Sequence, residues 1–575
     1  MKIPRLGAVL GIMTLLAGAA ALASAETNDM AINSVRIVPP PSPSRSGEGV
    51  RGEGALADIA AVLGRQITQR CETTVAASGT APLTVELAIE PEIGADAFRI
   101  ADVRSGVIRI AGGNSRGVLY GIGKFLRTSR YAPGGFIPGT WRGTSAPKCL
   151  VRAIYLATHF NNFYEAAPQA DVEHYIQDLG LWGYNTVLVH YPTWQFGALT
   201  DPAAQKWLGR FKLLLAGARR CGLQVGLLQC SNQGYKTTPE DLRGVKVPGN
   251  FRGNFGVNLC PSKPEARRVL MQLYGALFDE FKEPGLDYLE FWPYDEGGCA
   301  CGQCWPWGAR GYVSLSRDIA QLFRARFPAG KVILSTWGFE NENDANPDGE
   351  WVGLTKALQD DKTWVELLMA DGHGNYFPRF PLESGVPGGL PLLNFPEISM
   401  FGMGPWGGYG ANPAPAHFQA LWDRIKHQAA GGAPYSEGIY EDINKAICAQ
   451  FYWDPERKAE ETVREYAAFE FAPEAAAQLL EAARIFEQNH SRDSIGASAV
   501  RACGLVREAE EQMTAQARRS WRWRIFALRA LIDKELFERK GKLEGEVLKK
   551  AFEELTRIYH AENAGPMPLK PPLVK

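Results

Sequence analysis

The sequence predicts an α/β protein in three parts: a small N-terminal α/β domain, a central (β/α)8 TIM barrel and a C-terminal α-helical region. Three observations carry this. From residue 148 the chain alternates strand-like and helix-like periodicity, eight strand slots fall between residues 148 and 438, and an almost purely helical period follows. A (β/α)8 barrel accommodates a span of that size as one unit, whereas a doubly wound open sheet, the rival architecture, seldom needs eight serial parallel strands.

The chain opens MKIPRLGAVLGIMTLLAGAAALASAETND, where Lys2 and Arg5 precede an apolar run that ends in Ala23, Ser24 and Ala25. That layout predicts a cleaved secretory signal over 1–25 and export to the periplasm or cell exterior; an uncleaved anchor is the rival, weakened by the short run and the polar ETND. PPPSPSRSGEGV (39–50) cannot hold a ladder or a helix and reads as a link or an extended surface arm. Within the small domain (26–145), ALADIAAVLGRQI (55–67) and SRGVLYGIGKFLR (115–127) have helical spacing, while TVELAI (84–89), AFRI (97–100) and VIRIAG (107–112) read as strands.

The barrel (146–454) begins with VRAIYLAT (151–158) and the helix ADVEHYIQDLGLWG (170–183). Strands then follow at NTVLVH (185–190), LQVGLLQ (223–229), LDYLEFW (286–292), KVILST (331–336), WVELLMA (364–370), LPLLNF (390–395) and, more weakly patterned, GGAPYSEG (431–438). Helical segments at 264–281, 314–327 and 416–429 separate several of them. The last part (455–575) is helical; in SWRWRIFALRALIDKELF the aromatics are expected to pack on neighbouring helices while Arg and Lys face water.

Composition narrows the function. Hydrophobic residues are 45% and charged residues 22% of the 575, which is ordinary for a globular chain. Lys plus Arg (62) against Asp plus Glu (63) leaves a net charge of -1, so no broad positive field draws nucleic acid or acidic lipid. The 61 Gly, 37 Pro and 15 Trp instead suggest shaped loops and stacking surfaces suited to carbohydrate. The expected partner is an oligosaccharide or glycan substrate, with no nucleic acid, no integral membrane segment in the mature chain and no cofactor; a homodimer is compatible with the sequence.

In a barrel the loops beyond the C-terminal strand ends carry the chemistry. The fourth strand runs into FWPYDEGGCACGQC, placing Asp295 and Glu296 side by side, an arrangement that favours an elevated pKa for one of them. The sixth leads to MADGHGNY with Asp371 and His373, and the seventh to NFPEISMFGMGPWGGYG with Glu397, Trp406 and Tyr409. The eighth-strand loop YSEGIYEDINK adds Glu437, Glu441 and Asp442, of which at least one is expected to serve only as a sugar-hydroxyl acceptor or as a buried partner of Arg or Lys. Glycoside cleavage needs an acid for the departing oxygen and an ionised group, or the substrate's own acetamido oxygen, at the anomeric carbon. Glu296 suits the acid; Glu397 suits a nucleophile or base, with Asp371 orienting water. Trp292, Trp307, Trp337, Trp406 and Tyr409 are candidate sugar-stacking walls, and His159 and His190, after the first two strands, together with His373 and Glu437, are candidate hydroxyl or carboxylate binders. Their spacing is not that of a metal-ligand set. No Walker or H-E-x-x-H signature is present, and no G-x-G-x-x-G follows a suitable strand.

Ten cysteines are too sparse to build the fold through disulfides. Cys299, Cys301 and Cys304 in GGCACGQCWPWG, with Cys260, could form a structural metal site, contain a disulfide or brace a loop. C-x-C-x-x-C is not the paired C-x-x-C signature, which favours bracing or a disulfide over zinc.

With these residues in place, the chain resembles exported glycoside hydrolases that carry a small α/β domain before a catalytic barrel, notably the family 20 β-N-acetylhexosaminidases and the family 67 α-glucuronidases. GGNSRGVLYGIGKFLR (112–127) looks like the end of their small domain, and the likeness runs over about residues 30–450. The family 20 resemblance implies that Asp295 polarises the substrate acetamido group and Glu296 is the general acid, although the usual His-x-Gly-Gly-Asp-Glu run is here WPYDEGGC. The family 67 resemblance implies Glu296 as acid with Asp371 and Glu397 acting on water. The expected function is therefore an exported glycosidase acting on terminal sugars, an N-acetylhexosaminide ahead of a uronide. A noncatalytic carbohydrate-binding envelope protein is the alternative from another class.

Overall fold

A computed structural model describes residues 31–39, 53–159, 161–247, 256–295, 297–340, 348–372, 377–398, 410–563 and 572–575. The expected leader, most of the 39–50 link, and Glu296, His373, Trp406 and Tyr409 lie outside the described residues.

The N-terminal part holds β1 (Ser34–Val38), β2 (Thr74–Ala76), β3 (Leu83–Ile89), β4 (Phe98–Arg104) and β5 (Val107–Gly112), then a separate hairpin of β6 (Arg130–Ala132) and β7 (Gly135–Ile137), and finally β8 (Gly143–Ser145). The main sheet has the order β2-β1-β3-β5-β4-β8 and is mixed: β2, β1, β3 and β5 run parallel, and β4 lies antiparallel between β5 and β8. Helices Glu53–Arg70 and Ser115–Thr128 pack against it. The second starts at Asn114, whose side chain accepts from the Gly117 N–H at 2.8 Å and so satisfies one of the exposed donors of the first turn. A Cβ on Gly117 would lie 2.3 Å from the Ala97 carbonyl oxygen, so only glycine lets this helix come so close to the sheet.

The barrel strands are β9 (Val151–Leu156), β10 (Thr186–His190), β11 (Gln224–Cys230), β12 (Tyr288–Trp292), β13 (Lys331–Ser335), β14 (Leu367–Gly372), β15 (Leu392–Pro396) and β16 (Ala429–Gly432). Each pairs in parallel with the next, and β9 pairs with both β10 and β16, which closes the ring. The expected eighth strand is split: β17 (Tyr435–Ser436) resumes beside β9 after a break at Ala433 and Pro434. Proline has no N–H for the ladder. Gly431, at φ +137, sits so close to β9 that a Cβ would fall 1.7 Å from the Val151 oxygen.

Alternation along the strands sorts side chains into two cores. Ala153, Tyr155, Leu188, Leu228, Ile333, Met369, Leu393 and Phe395 fill the barrel interior. Ile154, Val187, Leu227, Leu289, Leu334 and Leu368 face outward into the larger core beneath the helices. The expected helices appear at Gln169–Trp182, Pro264–Glu280, Gly311–Arg326 and Pro415–Ile425, joined by Pro202–Arg220, Glu350–Asp360 and Asp442–Trp453.

Helices Ala459–Glu470, Ala476–Gln488, Ser498–Glu511, Trp521–Glu538 and Glu546–Tyr559 complete the chain. Trp523 and Phe526 are buried as expected, but the expectation that the cations of that helix face water fails for Arg522 and Arg529. Arg522 donates to Asp442 at 2.7 Å and pairs with Asp178 at 3.2 Å, docking the helix on the barrel. Arg529 is fully buried, bonded to Asp533 and to the carbonyls of Ala411, Phe486 and Asn489. Among the described residues no helix is long and apolar enough to cross a membrane.

Candidate active site

Inward-facing residues at the C-terminal strand ends form the mouth of the barrel. Asp371 is the penultimate residue of β14 and is paired in register with Phe395 of β15. Glu397 follows the end of β15 on the same side as Phe395 and bridges to Tyr435 of β17. Glu437 follows β17 and accepts from the Tyr435 hydroxyl at 2.7 Å. Three successive strand ends thus carry buried carboxyl groups. At β12, Asp295 comes three residues after Trp292, half-buried and at φ +67, a left-handed conformation that costs a non-glycine residue on the order of 1–2 kcal/mol.

The imidazoles meet on the adjoining arc, beyond β9 and β10. His159 and His190 have ring centroids 5.0 Å apart, edge to face. His190 Nδ1 lies 2.8 Å from the Leu228 carbonyl oxygen. A carbonyl only accepts, so Nδ1 carries the hydrogen and Nε2 is the acceptor nitrogen of the neutral ring. His159 Nδ1 is 3.2 Å from the Tyr155 hydroxyl, and its backbone oxygen accepts from Gln195 Nε2 at 2.6 Å. Between the two arcs, Trp292 stacks on Trp337 at 5.4 Å and meets Phe395 at 4.8 Å, with Tyr155 and Tyr435 completing an aromatic floor.

The structure therefore brings His159, His190, Trp292, Trp337, Asp371, Glu397 and Glu437 to one end of the barrel with Asp295. It removes others. Trp307, a sequence candidate for sugar stacking, is fully buried and donates its Nε1–H to the Pro293 oxygen at 2.6 Å. Glu441 pairs with buried Lys445 at 3.1 Å, and Asp442 is held below the usual carboxylate range because Arg522 and Lys445 outweigh the opposing effect of burial. These two are buried partners of cations, as the sequence reading allowed for at least one of the three acids there.

Sequence reasoning missed the supports. Asn232, fully buried after β11, accepts from the Gly298 N–H at 2.9 Å and donates to the Gly298 and Leu259 oxygens at 2.9 and 2.8 Å. Glu350, at the start of its helix, accepts from the Tyr294 hydroxyl and, at 2.8 Å, from the Gly308 N–H. Both fix the loop after β12, and neither has a sequence signature, because their partners are backbone groups or residues far along the chain. Glu290 was also missed. It lies in register between Leu228 and Ile333 inside the barrel, fully buried, and burial pushes its carboxyl well above the ordinary value. The alternation of β12 could have revealed it, since Tyr288 and Trp292 share its face. A cleft of about 630 Å³ lies elsewhere, among the outer helices, lined by Arg70, Tyr131, Tyr175 and Trp521; it carries no strand-end carboxylate.

No family model matches the chain, and no curated protein matches it. Solved structures do. A family 89 glycoside hydrolase from Clostridium perfringens, in complex with 2-acetamido-1,2-dideoxynojirmycin, is 12% identical over 88% of this chain and 65% of that one, with a TM-score of 0.59. A family GH115 4-O-methyl-α-glucuronidase with specificity for decorated arabinogalactans is 11% identical over 92% of this chain and 76% of that one, at 0.56. A GH138 enzyme targeting pectin rhamnogalacturonan II is 10% identical over 92% and 74%, at 0.52. Family 20 hexosaminidases align over 78% of this chain at 0.46–0.49. At these identities the likeness is one of fold: a glycoside-hydrolase-like barrel shared by several families. The likeness is to several families and does not narrow to family 20 or family 67.

Proposed function

We propose that the chain is a glycoside hydrolase releasing terminal sugars from an oligosaccharide or glycan, with Glu296 as the acid that protonates the departing oxygen. The observation that carries this is the placement of inward carboxyl groups at one barrel mouth: Asp371, Glu397 and Glu437 on successive strand ends, with Asp295 three strands round the ring from Glu397. Hydrolysis of a glycosidic bond needs that chemistry, an acid on one side of the bond and an ionised group or activated water on the other. Glu397 takes the second role and Asp371 orients water, while Glu437, His159 and His190 accept or donate to sugar hydroxyls. Trp292 and Trp337 supply a ring-stacking wall. The leader-like 1–25 supports an exported enzyme, and the changes in periodicity support units over 26–145, 146–454 and 455–575.

A second reading has its own support. Asp295 adjoins Glu296 and follows Trp292 by three residues, and Trp292 packs with Trp337 and Phe395 in an aromatic group that suits the enclosure of a substrate acetamido group. The 2-acetamido ligand of the family 89 structure and the uronide specificity of the GH115 enzyme are properties of those proteins, and the choice of sugar here rests on neither. Aryl glycosides with a 2-hydroxyl, a 2-acetamido or a uronic acid group decide it. With a carboxylate pair, 2-hydroxyl or uronide substrates turn over and Glu397→Gln lowers kcat by about 10²-fold or more. With substrate assistance, only 2-acetamido substrates turn over, and Asp295→Asn is the damaging change. No turnover of any of them, or of natural glycans, by the purified chain would contradict the enzymatic reading.

A further inference from the structure

Outside the mouth, one cluster of chemically potent side chains has no place in sugar cleavage. The sulfur atoms of Cys260, Cys299, Cys301 and Cys304 all lie within 4.8 Å of one another. Cys260 comes from the segment after β11, just before helix Pro264–Glu280; the other three come from the loop after β12. None of the four is joined in a disulfide.

The geometry is that of a metal cage. Zinc–sulfur bonds of about 2.3 Å arranged tetrahedrally put the sulfurs about 3.8 Å apart. The Cys260 and Cys301 sulfurs are 3.6 Å apart, and the whole set contracts to that edge length with shifts under about 1 Å. The surroundings suit thiolates. Amide N–H groups of Val245 and Cys301 reach the Cys299 sulfur, and those of Gln303 and Cys304 reach the Cys301 sulfur. The Ser262 hydroxyl is 2.9 Å from the Cys260 sulfur and 3.4 Å from that of Cys301. Such donors offset the net charge of about −2 that four thiolates and one divalent cation leave, and they orient the ligands. Three of the four cysteines are buried, so solvent does not hold a coordination position open, as a structural site requires.

We propose that Cys260, Cys299, Cys301 and Cys304 form a structural tetrathiolate site for one zinc-class divalent cation, which ties the loop after β12 to the segment after β11. The site clamps the loop that carries Asp295, at the point where Asn232 already links Gly298 to Leu259. It is independent of the hydrolase reading, since its assay needs no substrate.

The full-length chain, purified without chelator, is analysed for metal by plasma mass spectrometry and for disulfides by mass spectrometry of alkylated peptides. The reduced chain is then titrated with Co²⁺, followed by Zn²⁺. The expected result is about one zinc per chain, four reduced cysteines in the cluster, and thiolate-to-cobalt charge-transfer bands that Zn²⁺ abolishes. Cys503→Ser, remote from the cluster, keeps the metal; Cys301→Ser, the most accessible ligand, lowers Co²⁺ affinity by at least 10-fold. A disulfide within the cluster, or a reduced chain that takes up neither cation, overturns the proposal whatever the variants do.

Discussion

At the scale of single residues, Glu290 is the most unusual. A carboxyl group enclosed among Leu228, Ile333 and the rest of the barrel interior is pushed well above its ordinary pKa, because ionisation there would bury an uncompensated charge. The consequence for stability has a definite sign. The folded carboxyl titrates above its ordinary 4.5, so its contribution is fully present below that pH and is lost as pH rises toward the folded value, by about 1.4 kcal/mol per pH unit. Glu290→Gln mimics the neutral acid. Denaturant unfolding at about pH 5 and pH 7 is expected to show the variant gaining on the parent as pH rises; parallel profiles would mean that the carboxyl ionises freely in the folded chain. His190 shows the same economy of cause: one carbonyl, that of Leu228, decides that Nδ1 carries a hydrogen.

At the scale of elements, the strands supply the candidate site and the loops are held by residues from elsewhere. The loop after β12 is fixed by Asn232, by Glu350 and by the Trp307–Pro293 contact. Asn232→Ala leaves three buried backbone groups without their side-chain partner and is expected to destabilise the chain by about 3 kcal/mol. Its specific mark is faster hydrogen exchange at Gly298 and the cysteines after it, while the N-terminal sheet is unaffected; uniform loosening would mean that Asn232 is not a loop clamp. The eight barrel strands were legible because each combines an apolar run with a turn signal, and helix 115–128 because its apolar spacing is local. The split of the last strand was written in Gly431 and Pro434 and was overlooked. The burial of Arg522 and Arg529 was not legible: local spacing puts them on a polar stripe, and only Asp442, Asp178 and Asp533, brought in by tertiary packing, make burial tolerable. Of the site, the strand-end acids could be read from position alone. Tyr155, Phe395 and Tyr435 could not be told from core.

At the scale of the whole molecule, the three parts are joined by buried ion pairs. Asp96, ahead of β4, accepts from Arg152 of β9 at 2.8 Å and from Arg116 at 2.8 Å, linking the N-terminal sheet to the barrel. Burial alone would raise its carboxyl, but the two guanidinium groups outweigh that and hold it below the usual range. Glu465 joins helix Ser115–Thr128 to the C-terminal helices through Arg127 at 3.0 Å and Arg457. The C-terminal region also reaches the candidate site, since the Tyr559 hydroxyl bonds the Glu437 carbonyl and Tyr440 bonds the Leu555 carbonyl at 3.0 Å. The helices thus buttress a strand-end loop from behind, which leaves the mouth to the strand-end residues. Such a scaffold can hold several carboxyl groups at fixed separations, which is what acid-assisted sugar cleavage asks of it.

The most direct test of that claim is the dependence of Glu296→Gln on the leaving group. Aryl glycosides of the sugar that the parent chain accepts are compared across leaving groups from poorly to strongly acidic phenols. If Glu296 protonates the departing oxygen, kcat/KM falls about 10²–10⁴-fold for the poorest leaving groups and little for the best, which need no proton. An equal loss across the series, or none, would contradict the assignment of Glu296 as the acid.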